Sequence, residues 1–148
     1  MRERAHSNMP VSIRPGVILG VGHDICSIER IEGVIDKFGP QLLSRICTEA
    51  EQEEAHKRSV LAPYVAGRFA AKEAVYKALS STDQSGMNWR QAEILTGVRG
   101  KPVLRLHGRC QERLMSLLPE GAMPHLHISL SHEREIASAF VILSSEYT

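Results

Sequence analysis

The stretch from about Ser59 to Leu79 constrains the chain more than any other segment. It is long enough for more than five helical turns, and Pro63 is tolerable only in the first of them. At about 100° per residue, Val65, Phe69, Tyr76 and Leu79 form one bulky arc, while Gly67, Ala71, Ala74 and Ala78 form another. An alanine-rich surface lets a strand or a ligand lie close against the helix. Glu73 and Lys77 fall about 40° apart, beside Ala66 and Ala70. As an exposed i,i+4 ion pair they would contribute only about 0.3–0.5 kcal/mol. The flanking alanines argue for more than that, since a free surface pair does not need them.

Val17 to Cys26 (VILGVGHDIC) is β-branched and alternating, which predicts a strand. One parity holds Val17, Leu19 and Val21; the other holds Ile18, Gly20, Gly22 and Asp24. Asp24 thus shares a face with two residues that have no side chain, where another backbone or a ligand can come close. Asp24 also reads as an ordinary turn-former at a strand end. If it meets Glu73, the two make a carboxylate pair for a hard cation such as magnesium, although 49 positions separate them.

The remaining elements follow from local signals. Ser27 opens a short helix to about Phe38, ended by Gly39-Pro40, and Leu42 to Ile46 reads as helical. Thr48 and Glu51 form a capping box at the start of another short helix. Ser80 to Asn88 is a loop. A hairpin is predicted from Trp89 to Thr96 and Pro102 to Leu106, turning over Gly97 to Gly100. A helix from about Arg109 to Leu118 follows, stopped by Pro119-Glu-Gly121. Strands His125–Ser131 and Ile136–Leu143 are joined by His132 to Glu135. The class is α+β, a mainly antiparallel sheet packed against one long helix and shorter helices.

Length sets the organisation: 148 residues make one domain, read as 17–148 behind a polar arm at 1–16. The formal net charge is +1 and only 5% of residues are aromatic, so neither nucleic acid nor an anionic membrane is an expected partner. The longest apolar run, Ala139 to Leu143, is far short of a membrane span. Cys26, Cys47 and Cys110 lie 21 and 63 residues apart, which makes neither a disulfide framework nor a zinc knuckle. A reducing, cytoplasmic setting fits best. His125 and His127 share a strand parity with Ser129 and Ser131; with no third ligand at spacing, they read as solvated or hydrogen-bonded rather than zinc-bound. Ser131 and His132 suit polar contacts to a phosphate or hydroxyl. Gly100-Lys101-Pro102 offers a backbone N–H and an ammonium to a phosphate, and is equally a plain hairpin turn.

Three blocks resemble one family when taken in order and at these distances. They are Gly22-His-Asp-Ile25 with Ile28-Glu-Arg-Ile31, then Gly67-Arg-Phe-Ala-Ala-Lys-Glu-Ala74 with Lys77-Ala-Leu79, then Ser129-Leu-Ser-His132. Together they look like the 4′-phosphopantetheinyl transferases, of the small bacterial holo-acyl-carrier-protein synthase type. The resemblance covers Val17 to Leu143. It implies that the 4′-phosphopantetheine of coenzyme A moves to a serine of apo acyl carrier protein, releasing 3′,5′-ADP, in support of fatty acid biosynthesis. Matched residue by residue, it makes Asp24 and Glu73 the magnesium ligands. Lys77 becomes a catalytic phosphate contact, and Arg68, Ser131 and His132 lie near the nucleotide's phosphates. Gly100, Lys101 and Pro102 fall near the adenine or pantetheine, and Arg30 meets the acidic carrier protein. Glu73 or a water on the metal would take the serine proton. The resemblance also implies a homotrimer with sites between subunits. His23 stands where the family usually has a small or aliphatic residue, and by parity it points away from Asp24.

Two other classes are open on the residues alone. His23-Asp24 spells the doublet of metal-dependent phosphohydrolases, though here it sits in a strand with no helical His or Asp to complete the set. A non-catalytic partner-binding module would keep Glu73 and Lys77 as a surface bridge only.

Overall fold

Gly20 and Gly22 decide where the long helix lies. The computed structural model describes residues 16–80 and 88–147. Strand β1 (Val17–Ser27) carries both glycines on the face that meets the helix spanning Leu61–Leu79. A Cβ on Gly20 would stand 1.8 Å from the Ala78 carbonyl oxygen, and one on Gly22 would stand 1.7 Å from that of Ala74. No side chain fits there, so the anticipated close approach is made by the helix backbone itself. Below Gly20 the expected alternation fails. A register shift between Ile18 and Gly20 turns Leu19 toward the core and leaves Ile18 exposed.

The elements between strand and long helix end where their residues require. The Ser27 hydroxyl accepts from the Arg30 N–H at 3.1 Å and caps α1 (Ile28–Phe38). Gly39, at φ +54°, closes α1, and Pro40 opens α2 (Pro40–Ile46), slightly earlier than its sequence signal. The Thr48–Glu51 capping box forms with both of its bonds and starts α3 (Glu49–His56). The long helix is α4. Thirteen of its 19 residues are buried, so it has no continuous polar face and lies inside the molecule.

Burial on that scale encloses Lys72, which is fully inaccessible, as is Glu51 on α3. The Lys72 ammonium donates to Glu51 Oε1 at 2.7 Å, to the Trp89 carbonyl at 3.0 Å and to the Ala92 carbonyl. Glu51 also accepts from the Thr48 N–H at 2.9 Å and the Ile94 N–H at 3.1 Å. Burial drives the ammonium's pKa below the ordinary lysine value, and Glu51 pulls it back. The capping-box glutamate therefore also fastens α3 to α4 and to the strand that follows.

Trp89 to Gln91 forms a single 3-10 turn rather than the start of a strand, because Lys72 holds the Trp89 carbonyl and Glu73 its indole; the Asn88 side chain also caps the turn, accepting from the Arg90 N–H at 3.0 Å. The strand β2 is Ala92–Thr96, paired antiparallel with β3 (Pro102–Leu106). The connection holds Arg99 and Gly100 at φ +58° and +75°. Helix α5 spans Gly108–Leu117. The last hairpin is longer than its sequence signal: β4 is Met123–Glu133 and β5 is Ile136–Glu146. His132 and Glu133 thus belong to the strand, opposite Ala137 and Ile136, and only Arg134 and Glu135 turn. The sheet order is β1–β5–β4, all antiparallel, which agrees with the α+β reading. Its inner face packs Ala137, Ala139, Val141 and Leu143 against α4. Of the arm expected at 1–16 and the loop expected from Ser80 to Asn88, residues 1–15 and 81–87 lie outside the described residues, as does residue 148.

Two outcomes follow from this packing. Gly22→Ala should destabilise the protein by about 3 kcal/mol or more in chemical denaturation, since the obstacle is helix backbone that cannot rotate away. Lys72→Met should cost about 3–5 kcal/mol by stranding Glu51. Adding Glu51→Leu should recover about 1–3 kcal/mol of the summed loss in a double-mutant cycle.

Candidate active site

Asp24 lies one alternation beyond Gly22, on the face toward α4. Because Gly22 admits the backbone at Ala74, the flanking helix residues Glu73 and Lys77 are carried to the same end of β1. The Lys77 ammonium donates to Asp24 Oδ1 at 2.9 Å and to the His23 carbonyl at 3.0 Å. Glu73 Oε1 instead accepts the indole N–H of Trp89 at 2.9 Å. Lys77 is therefore paired across the fold, not along its own helix, and the reading of Glu73–Lys77 as an i,i+4 surface bridge is replaced.

Burial raises the Cys26 thiol above its ordinary pKa; a hydrogen bond and the charge of Arg30 oppose this, and the charges of Asp24 and Glu73 add to it. Arg30 on α1 has Nη2 4.0 Å from that sulfur. Asp24 and Lys77 thus meet at one end of β1, with Arg30 beside Cys26 two residues further along the strand. His23 points to the opposite face, as its parity requires, with Nε2 3.1 Å from the Ser138 hydroxyl.

Among the described residues no three His, Cys, Asp or Glu side chains group as a metal cage. Two carboxylates do suit a hard cation such as magnesium, which takes one or two protein carboxylates and completes its shell with phosphates and water.

Around the first half of α4 lies a cleft of 280 Å³. It gathers Arg68, Gly100, Pro102, Ser131 and His132 from the expected set, together with Arg58, Tyr64 and Thr96, which sequence reasoning did not single out. Lys101 lines a separate groove with Val103 and Leu126. Arg68 is held on several sides. Its Nε donates to the Ile94 carbonyl at 3.1 Å, and its Nη2 donates to Glu54 at 3.2 Å and Thr96 Oγ1 at 3.0 Å. The guanidinium also lies 4.2 Å from the Tyr64 ring centroid. Burial works against the Glu54 charge, but the Thr96 N–H, the Tyr64 hydroxyl and Arg68 outweigh it and hold that carboxyl below its ordinary pKa.

The profile of the 4′-phosphopantetheinyl transferase superfamily matches residues 20–139, which include Asp24, Glu73, Lys77 and the residues lining the cleft. This chain belongs to that superfamily. The holo-[acyl-carrier-protein] synthase of Methylorubrum populi is 40% identical over 129 residues, 87% of this chain and 95% of its own. A holo-(acyl-carrier-protein) synthase from Bacillus anthracis, solved in complex with CoA (3′,5′-ADP), superposes with a TM-score of 0.69 at 36% identity over 88% of this chain and 99% of that one. The Helicobacter pylori holo-[acyl-carrier-protein] synthase in complex with coenzyme A has a TM-score of 0.69 and 27% identity, covering 83% of this chain and 98% of that one. The phosphopantetheinyl transferase fold expected from the three sequence blocks is therefore the fold observed.

In this transferase the Lys77–Asp24 bridge is partly solvated, with the lysine side chain 55% exposed. Lys77→Met should accordingly lower stability by less than about 1 kcal/mol, measured by urea unfolding, because exposed pairs contribute little.

Proposed function

We propose that this chain transfers the 4′-phosphopantetheine of coenzyme A to a serine hydroxyl of apo acyl carrier protein, releasing 3′,5′-ADP, and so serves fatty acid biosynthesis in the cytoplasm. The observation that carries the reading is the bridge from Lys77 on α4 to Asp24 on β1, one helical turn from Glu73, in a chain that belongs to this superfamily. Asp24 and Glu73 would hold magnesium, which when bound supplies positive charge to the pyrophosphate. The other roles fall to the chain itself. Lys77 is exposed enough to leave Asp24 and follow charge as it develops on the phosphate. Glu73, with one oxygen held by Trp89, has the other to accept the proton of the attacking serine. Arg68, Ser131, His132, Gly100 and Pro102 line the cleft for the nucleotide, with Lys101 in the adjoining groove. Arg30, exposed beside Cys26, receives the acidic carrier protein.

A homotrimer with sites between subunits belongs to the same proposal. Arg68 and Lys77 stand about 180° apart around α4. One chain therefore presents cleft and carboxylates on different sides of its own helix, and a neighbouring chain can unite them. The outer face of the sheet supports the same arrangement, since it leaves Val21, Ile25 and Phe140 exposed where a second copy can cover them.

The test is the mass of an apo acyl carrier protein after incubation with this chain, coenzyme A and magnesium. The carrier should gain one phosphopantetheine, chelation with EDTA should stop the gain, and added magnesium should restore it. Glu73→Gln should slow turnover by about 10²- to 10⁴-fold while melting near the wild type. An unmodified carrier, or full turnover by folded Glu73→Gln, removes the reading.

A further inference from the structure

The 3-10 turn Trp89–Gln91 makes two contacts with α4, and they fall on consecutive helix residues. The Trp89 carbonyl accepts from Lys72, and the Trp89 indole N–H donates to Glu73 Oε1 at 2.9 Å. Lys72 is immobilised in turn by Glu51 and the Ala92 carbonyl. The indole ring also lies against Phe69, with centroids 5.8 Å apart. Glu51, Lys72, Trp89 and Glu73 therefore form one line of contacts from the buried centre to the candidate site.

We propose that Trp89 is a positioning residue for the transferase, whose indole N–H fixes the Glu73 carboxylate in the orientation that takes a divalent cation together with Asp24. The proposal rests on the transferase reading. A glutamate's last torsion is broad and close to two-fold, so an unheld carboxylate samples many planes. The indole nitrogen is a donor only, so this bond has one polarity. Hydrogen bonds from outside the metal shell orient ligating carboxylates, and their removal typically costs about 10- to 100-fold in metal affinity or activity. Two contacts steady the donor: Lys72 holds the backbone beneath the indole, and Phe69 packs against its ring.

Trp89 is the only tryptophan in the chain, so its emission reports on this contact without labelling. Manganese, a paramagnetic stand-in for magnesium, is titrated into the wild-type protein with coenzyme A saturating. The emission should change saturably, at the concentration where electron paramagnetic resonance shows free manganese being taken up. Trp89→Phe keeps a ring against Phe69 and deletes the N–H. It should bind manganese about 10-fold or more weakly and lose kcat by a similar factor, with the KM for carrier protein unchanged. A folded Trp89→Phe protein with wild-type manganese affinity and kcat overturns the proposal, and so does wild-type emission that ignores manganese. If Trp89→Phe does not fold, the wild-type emission decides alone. A wild-type protein whose emission responds but which modifies no carrier protein overturns the transferase reading and leaves the Trp89 contact standing.

Discussion

The contact between α4 and β1 sets the geometry on which the rest of the molecule depends. Two residues without side chains let carbonyl oxygens of the helix sit where a Cβ would otherwise be. That brings the helix axis closer to the sheet than any larger residue allows, and it explains the small side chains on both surfaces. Ala74 and Ala78 face β1, and Ala137 and Ala139 line the adjacent strand. The close approach is also what brings Lys77 within 2.9 Å of Asp24. Structure and candidate chemistry share one cause here.

A helix enclosed this way forces its polar residues to find partners inside. Lys72 does so through Glu51, and Glu51 simultaneously completes its own capping box and accepts the Ile94 N–H. Arg68 does so through Ile94, Thr96 and Glu54. Both networks end on β2, so the small hairpin is held to the helix by polar bonds as much as by its apolar residues Ala92 and Ile94. Such buried ionic groups add little net stability over an apolar replacement, but each is costly to break singly. In this protein they fix where the hairpin lies, and with it Thr96, Gly100 and Pro102 on the wall of the cleft.

Local signals were read accurately where local physics decides the outcome. The Ser27 cap, the Thr48–Glu51 box, the Gly39-Pro40 break and the alternation of His125, His127 and Ser129 all rest on interactions within a few residues. Three readings failed for non-local reasons. The parity of β1 broke at Ile18 because the pairing with β5 inserts Leu19 as an extra residue. Trp89 left the strand because Lys72 holds its carbonyl and Glu73 its indole. His132 joined β4 because β5 is long enough to pair with it at Ala137.

The amino-acid sequence by itself determined the α+β class, the long small-residue helix, the glycine face of β1 and the identity of the residues with chemistry to offer, because each is written in spacing, size and side-chain type. It also carried the family resemblance, which the superfamily match bears out. Only the tertiary structure decided which of those residues meet. Lys77 pairs with Asp24, 53 positions away, and not with Glu73 on its own helix; Glu73 is held by Trp89, 16 positions away. The spacing of charges along a helix fixes which side chains share a face, but not what the fold places opposite that face. That depends on how closely two backbones pack, which here follows from the two glycines of β1.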